Sequence, residues 1–434
     1  LTEEITRGAL MFNYSGHGSP AQISHSYIFE AGDWGNVSSK ALPIWVLASC
    51  EILPYDQEKT DFGRQALFAP QGGAVAFMCA SRAVYATENN ALNVAFCEAL
   101  VKRNIDGSYN TFGDALRIAK NKLISTAQDR TINKLKYIIA GDPALRLMQP
   151  TLSIIVDSIN GKVVTQEESQ ELNAGSIATF SGYIENEDDF SGILTATLYD
   201  RLETHVCRNN GNVADEPFAY SERTKIVFNG SDSIRNGRFK IYIPIPRDIS
   251  YSTDCGRLSL YAVNQDAQKE ARGFCEMFHL NGTADGLNND TIGPKIFLYL
   301  NDVEFPNGGV TSRNPLFIAK LSDDSGINAT GTSLGHDIEL VVDNQTNNLI
   351  VLNDYFSYDF GSYKEGTVSY QFENLSPGRH TLSFRVWDHN NNSSTSTLDF
   401  VVGTDVQQSK QLYATINPAR SYAQFVANVS ESHI

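Results

Sequence analysis

Four runs in the first 150 residues are almost continuously apolar: "ALMFNY" (9–14), "PIWVLAS" (43–49), "AVAFMCA" (74–80) and "YIIA" (137–140). Strands buried on both faces of a parallel sheet read this way, because neither side of the strand meets water. Between the runs the apolar period lengthens to about 3.6, that of a helix. In "NNALNVAFCEALVKRN" (89–104), Leu92, Ala95, Phe96, Ala99 and Leu100 fall on one helical face. A second helix is predicted to open at "TFGD", where Thr111 and Asp114 can form a variant of the capping box. Its apolar face continues through Ala115, Leu116, Ala119 and Leu123. Strands alternating with helices predict an α/β sandwich, a parallel-rich sheet with helices on both faces.

At "GDPALRLMQP" (141–150) the helical period fades. Short alternating segments follow, among them "ATFSGYIE" (178–185), "LTATLYD" (194–200) and "GRFKIYIPI" (237–245), separated by Gly, Asn and Asp turns. This pattern predicts an all-β sandwich. "FHLNGTADGLNNDTIGPKI" (278–296) reads as a linker. A second β unit is predicted beyond it, with strands in 336–343 and 366–375 and a long hairpin at 378–402 that turns on an Asn-rich loop. The expected domains are therefore residues 1–150, a β-sandwich at 151–290, an Ig-like β-sandwich at 291–403, and a linker with the start of a further β domain at 404–434.

Length and composition agree with several cores: 434 residues suggest two to four domains, and 41% hydrophobic content with 10% aromatics excludes wholesale disorder. The formal charge of −16, without any cluster of Lys and Arg, argues against nucleic acid as a partner. No run of 18 apolar residues exists to span a bilayer as a helix. The opening "LTEEITRGAL" lacks the basic start and apolar stretch of a signal peptide. It reads like the middle of a domain, so a fragment or the mature product of a longer precursor is expected.

Six cysteines fall three and three: Cys50, Cys79 and Cys97, then Cys207, Cys255 and Cys275. None forms a CxxC pair, so a zinc or thioredoxin-like site is not expected. Cys79 and Cys97 read as buried small hydrophobes. A single disulfide among the last three is an open alternative, with Cys207–Cys255 the candidate pair.

Chemistry concentrates at two strand ends. In an open parallel sheet, ligands bind at the carboxyl ends of the strands. His17 in "NYSGHGS" follows the first apolar run, and Cys50 in "WVLASC" follows the next. Taken singly, a His after a strand is usually a turn residue and a Cys at a strand end is usually packing. Together they make a candidate acyl-transfer site, because a nearby imidazole lowers a thiol's pKa by favouring the ion pair. Gly16 and Gly18 would allow a tight turn, and the N–H groups of Gly18 and Cys50 could face the oxyanion of a tetrahedral intermediate.

These residues resemble the caspase–gingipain clan, in which His-Gly and Cys end adjacent strands. "GGAVAFMCASRAVY" (72–85) and "IIAGDPALRL" (138–147) resemble its gingipain branch of cysteine peptidases. "DTIGPKIFLYLND" (290–302), "DDSGINATGTSLGHDIELVVDN" (323–344), "VLNDYF" (351–356) and "RVWDHNNNSS" (385–394) are similar to the region downstream of the peptidase domain in type IX secretion system sortases of the PorU type. The resemblance implies a caspase/gingipain-like sandwich in 1–150, present as its C-terminal portion, followed by two Ig-like β-sandwiches. It implies that Cys50 is the nucleophile, that His17 is the general base and acid, and that Gly18 and Cys50 supply the backbone oxyanion donors. It further implies a protein on the outer face of the outer membrane of a Gram-negative member of the Bacteroidetes. Such a sortase removes the C-terminal signal domain of secreted cargo and passes the cargo to anionic lipopolysaccharide or to water. An outer-membrane β-barrel of the PorV kind would tether it.

The resembled family orients its His with an acidic residue on an earlier strand, which would precede Leu1. Glu51 and Asp56 read as solvated loop charges instead, since a carboxylate beside a nucleophilic Cys opposes thiolate formation. No cofactor and no metal centre are expected at the site: His25 lies eight residues after His17, but no third ligand has suitable spacing. "ENEDD" (185–189) and "DHNNN" (388–392) offer oxygens for a structural calcium ion, yet neither matches EF-hand spacing, and turn chemistry explains them better. His336 is expected to be structural, Trp387 to lie in a core, and the sequon at Asn13 to be accidental because its strand is buried. Two alternatives stand beside the sortase: a gingipain-like endopeptidase of broad substrates, and a non-catalytic surface scaffold or adhesin with a degenerate peptidase domain.

Overall fold

The computed structural model describes residues 1–403 except Lys59, Asp106, 209–216, 285–289 and 331–335, together with two short strands beyond Gly403. The chain forms two units, Leu1–Thr151 and Leu152–Ile434.

In the first unit, β1 (Met11–Ser15), β2 (Gln22–Ile23), β3 (Phe29–Glu30), β4 (Ile44–Ala48), β5 (Ala76–Ala80) and β6 (Tyr137–Ala140) are accompanied by α1 (Thr2–Arg7), α2 (Phe62–Leu67), α3 (Ala86–Val101) and α4 (Phe112–Ser125). The main sheet runs β1-β4-β5-β6. Its first three strands are parallel and β6 closes it antiparallel. Every residue of β4 and β5 is buried, as their unbroken apolar character predicts. Successive side chains then serve opposite cores. Ile44, Val46, Ala76, Met78 and Ala80 meet Leu92, Phe96, Phe112 and Leu116 of α3 and α4. Trp45, Leu47, Phe77 and Cys79 meet Phe29, Trp34, Ile52 and Phe62 on the other face, where α1 adds Ile5. Helices thus cover both faces. The N-cap half of the predicted box is present at α4: Thr111 Oγ1 accepts from the Asp114 N–H at 3.0 Å, while the Asp114 carboxylate accepts from the Thr111 hydroxyl and not from its backbone N–H.

The expectation for β1 needs correction. It lies at the sheet edge, its residues are half-buried or exposed, and Asn13 is exposed rather than interior. Both faces are covered only in part: Met11 packs against one core and Phe12 and Tyr14 against the other, each half-buried. Asn13 instead donates to Cys97 Sγ (3.2 Å) and accepts from Asn93 Nδ2 (3.0 Å).

The second unit is all β. Strands Ile226–Ile234, Gly192–Tyr199, Arg257–Asn264 and Glu270–Cys275 are antiparallel neighbours. They join Leu152–Ile159, Ile177–Ile184 and Arg238–Pro244 where Ala271 and Arg272 pair with Leu152 and Ser153. Further along, Lys295–Leu300, Leu316–Ser322, Glu365–Gln371 and Phe356–Tyr358 form one sheet, and Gly309–Thr311, Ser393–Val402, Gly378–Asp388, Glu339–Val342 and Ile350–Val351 form another. The predicted hairpin is Gly378–Asp388 against Ser393–Val402. One hydrophobic cluster runs from Ile154 to Val402, so the expected boundary at 290/291 falls inside this unit.

Three further expectations are corrected here. "FHLNGT" is no linker: Phe278–Thr283 is a strand parallel to Gln170–Ala174, with Phe278 and Leu280 buried at alternate positions. Trp387 is half-buried, with His336 against its ring (centroids 4.3 Å apart), while His336 bonds Asp248 at 2.6 Å. All six cysteines are free thiols, Cys207 and Cys255 both exposed. Beyond Gly403, Leu412–Ala414 pairs with Phe425–Ala427, and the remainder of the expected further β domain lies outside the described residues.

Candidate active site

The parallel pairing of β1 with β4 ends at Ser15 opposite Ala48, and the Gly16 N–H extends it by donating to the Ala48 carbonyl at 3.3 Å. His17 and Cys50 each lie two residues beyond that last pair, at the carboxyl ends of neighbouring strands. Gly18 brings the two loops into direct contact. A Cβ added to it would lie 2.1 Å from Ser49 Oγ and 3.0 Å from Ile52 Cδ1, so only glycine lets the turn approach so closely.

The His17 backbone is held by two donors to one carbonyl, the Tyr14 hydroxyl (2.8 Å) and the Ser24 N–H (2.8 Å). Gly18 forms a bridge with Ile23 that runs through its neighbours, His17 O to Ser24 N–H and Gln22 O to Ser19 N–H. The Gly18 N–H takes no part in that bridge. His17 is exposed, and its imidazole stacks on that of His25, with centroids 4.2 Å apart and planes 11° from parallel.

Cys50 is half-buried, and its Sγ lies 3.5 Å from both the N–H and the carbonyl of Val84. The loop after β5 therefore braces the thiol, and Glu51 N–H to Arg82 O (3.3 Å) fastens the next residue. These two backbone contacts hold Cys50 in place at a partly open strand end. The other two cysteines of the unit differ. Burial pushes the Cys79 thiol far up, with the Asp61 charge adding to the effect. Burial also raises Cys97, against the lowering effect of its Asn13 contact. Neither is suited to nucleophilic work.

Asp56 pairs with Arg82 at 2.5 Å, which holds its carboxyl below the usual range, and both groups are exposed. Glu51 occupies a left-handed turn (φ 48°). Sequence reasoning missed Tyr14, Ser24 and Val84. The last two act through backbone groups, which carry no residue preference; Tyr14, three residues before His17, was detectable only as a hydroxyl near a turn.

Among the described residues, one acidic cluster stands out, in the second unit: Asp290, Asp323 and Asp388 bring carboxylate oxygens within 4.8 Å of one another. Asp388 accepts from Asn390 N–H, Asn392 N–H and Asn392 Nδ2, each at 2.8 Å, which is the turn role expected for "DHNNN". Glu187 of "ENEDD" pairs with Lys269 at 2.5 Å.

Residues 1–148 match the model of peptidase family C25. Among solved structures, dimeric latent PorU from Porphyromonas gingivalis shows 27% identity and a TM-score of 0.41; the match covers 82% of this chain and 34% of that one. The complex of the pro- and mature domains of RgpB from Porphyromonas gingivalis shows 16% identity and a TM-score of 0.31, covering 63% of this chain and 56% of that one. The chain thus spans about a third of the length of PorU. No curated protein matches it.

Proposed function

We propose that the chain is a cysteine peptidase of family C25, whose model residues 1–148 match, with Cys50 as nucleophile and His17 as general base and acid. The observation that carries the reading is the register of β1 on β4, which ends both residues at the same edge of one parallel pair. His17 takes the thiol proton, and the Cys50 thiolate attacks the scissile carbonyl. The N–H groups of Gly18 and Cys50 receive the charge on its oxygen. The imidazolium then protonates the leaving amine as the C–N bond breaks, leaving a thioester on Cys50. An incoming amine or water attacks that thioester, loses its proton to His17 and restores the thiol.

The proposal extends to a sortase of the type IX secretion system. Its substrates are secreted cargo proteins bearing a C-terminal signal domain, and the attacking amine belongs to anionic lipopolysaccharide. The enzyme works on the outer face of the outer membrane, tethered by a β-barrel partner of the PorV kind. The segments downstream of 290 that resemble such sortases support this narrower reading over a peptidase of broad substrates.

Replacement of Cys50 by Ala in the native host tests it. Cargo should still reach the outside but keep its C-terminal signal domain and lack the lipid. Normal processing in that strain overturns the sortase. Rapid hydrolysis of unrelated peptides by the purified protein, abolished when Cys50 is alkylated, would favour a broad endopeptidase.

A further inference from the structure

The loop after His17 folds back on it through a strained turn. Ser24 is in left-handed backbone (φ 67°), a region that L side chains enter reluctantly. Its N–H meets the His17 carbonyl at 2.8 Å, its own carbonyl accepts from Gln22 Nε2 at 2.9 Å, and its Oγ accepts from the Ser26 N–H at 3.1 Å. These bonds lay the His25 ring flat on the His17 ring, 4.2 Å between centroids, although both residues are exposed. Burial does not account for a stack at the surface. The turn that produces it is fastened to the backbone of His17 itself.

A face contact has a consequence that a hydrogen bond does not. Both imidazole nitrogens lie in the ring plane, so a neighbour on the face fixes the plane without occupying either nitrogen. One nitrogen stays available to the Cys50 thiol and the other to an orienting acceptor.

We propose that His25 is a positioning residue for His17: its stacked ring holds the His17 imidazole in the plane from which it serves Cys50. This rests on the reading of His17 and Cys50 as a pair.

The test uses the full chain and the rate of Cys50 alkylation by iodoacetamide at neutral pH, followed residue by residue by mass spectrometry. His25→Ala should slow Cys50 by about three- to tenfold, the range an oriented aromatic pair supports, and His25→Phe, which keeps a flat face, should restore it to within about twofold. The upfield ring-current shift of the His17 ring protons should vanish in His25→Ala and persist in His25→Phe, with thermal melting of both variants unchanged. His17→Ala provides the reference and should slow Cys50 at least as much. If His17→Ala slows Cys50 while His25→Ala leaves it at the wild-type rate, the positioning role is overturned and the pair stands. A His25→Phe variant as slow as His25→Ala also overturns it. If His17→Ala itself has no effect, the pair fails, and the role of His25 with it.

Discussion

Gly18 sits so tightly on Ser49 that a Cβ built on it would come within 2.1 Å of the serine hydroxyl and 3.2 Å of the serine Cβ. Ser49 is fully buried and cannot swing away into solvent. Gly18→Ala must therefore displace the His17–Gly18 turn from the Cys50 loop. A shift of about 1 Å at a reacting group is worth on the order of a hundredfold in rate, so alkylation or turnover at Cys50 should fall by one to two orders of magnitude. Ser49 Oγ finds no hydrogen-bond partner among the described residues, so Ser49→Ala alone should be close to neutral. Combined with Gly18→Ala, it should recover part of the loss. A double-mutant cycle measures this, and strict additivity would contradict the contact.

The six free thiols should separate in native-state labelling. Cys207 and Cys255 are exposed and Cys50 is partly open, whereas Cys79 and Cys275 are buried and burial pushes both thiols up. Iodoacetamide at neutral pH should label Cys50, Cys207 and Cys255 first. Cys79 and Cys275 should react only after unfolding, in line with thiolate character and access. Peptide mapping at successive times gives the order, and early labelling of Cys79 would contradict the packing of β5.

How far this could be read in advance depended on where the information resides. β4 and β5 were legible because five consecutive buried positions leave no other arrangement for a short apolar run. β1 has the same kind of sequence, but a strand's place at a sheet edge is set by its neighbours and not by its own residues. The aromatic cluster around Trp34 hangs on a 3-10 turn and the six-residue α2, too short to show a helical period. "FHLNGT" reads as a linker because its Gly and Asn outweigh the alternation of Phe278 and Leu280. The candidate pair, His17 and Cys50, is marked in the sequence by glycines on either side of the His and by abrupt strand ends. Val84 and the Ser24 turn did not, since a backbone N–H or carbonyl looks alike in every residue.

The cap of α4 offers a quantitative check on the first unit. Thr111 Oγ1 accepts from the Asp114 N–H and also contacts the Asp114 carboxylate, both at 3.0 Å. The helix behind it places Phe112, Ala115, Leu116, Ala119 and Leu123 in the core. Loss of an N-cap hydroxyl typically costs about 1 kcal/mol. Thr111→Ala should lower the unfolding free energy of this unit by that amount in urea, with the slope unchanged, and Thr111→Ser should retain most of it.

In the second unit, His389 is buried, and its pKa is lowered to about 4, chiefly by burial, against the pull of nearby backbone carbonyls. Its Nε2 lies 3.5 Å from the Tyr358 hydroxyl, and its Nδ1 finds no partner among the described residues. A histidine held neutral in the fold but free to take a proton when unfolded stabilises the native state above its ordinary pKa. That contribution is lost as pH falls from about 6.5 toward 4, because only the unfolded chain then binds the proton. The full loss is of order 3 kcal/mol. Asp323 and Asp388 act with the opposite sign: burial raises both, so their repulsion is relieved as pH falls. The informative quantity is therefore a difference. The unfolding free energy of the wild type minus that of His389→Gln, measured by denaturant titration at half-unit steps from pH 7 to 4.5, should decline steadily with pH below about 6.5. A difference that stays flat over that range would mean that the imidazole takes its proton inside the fold.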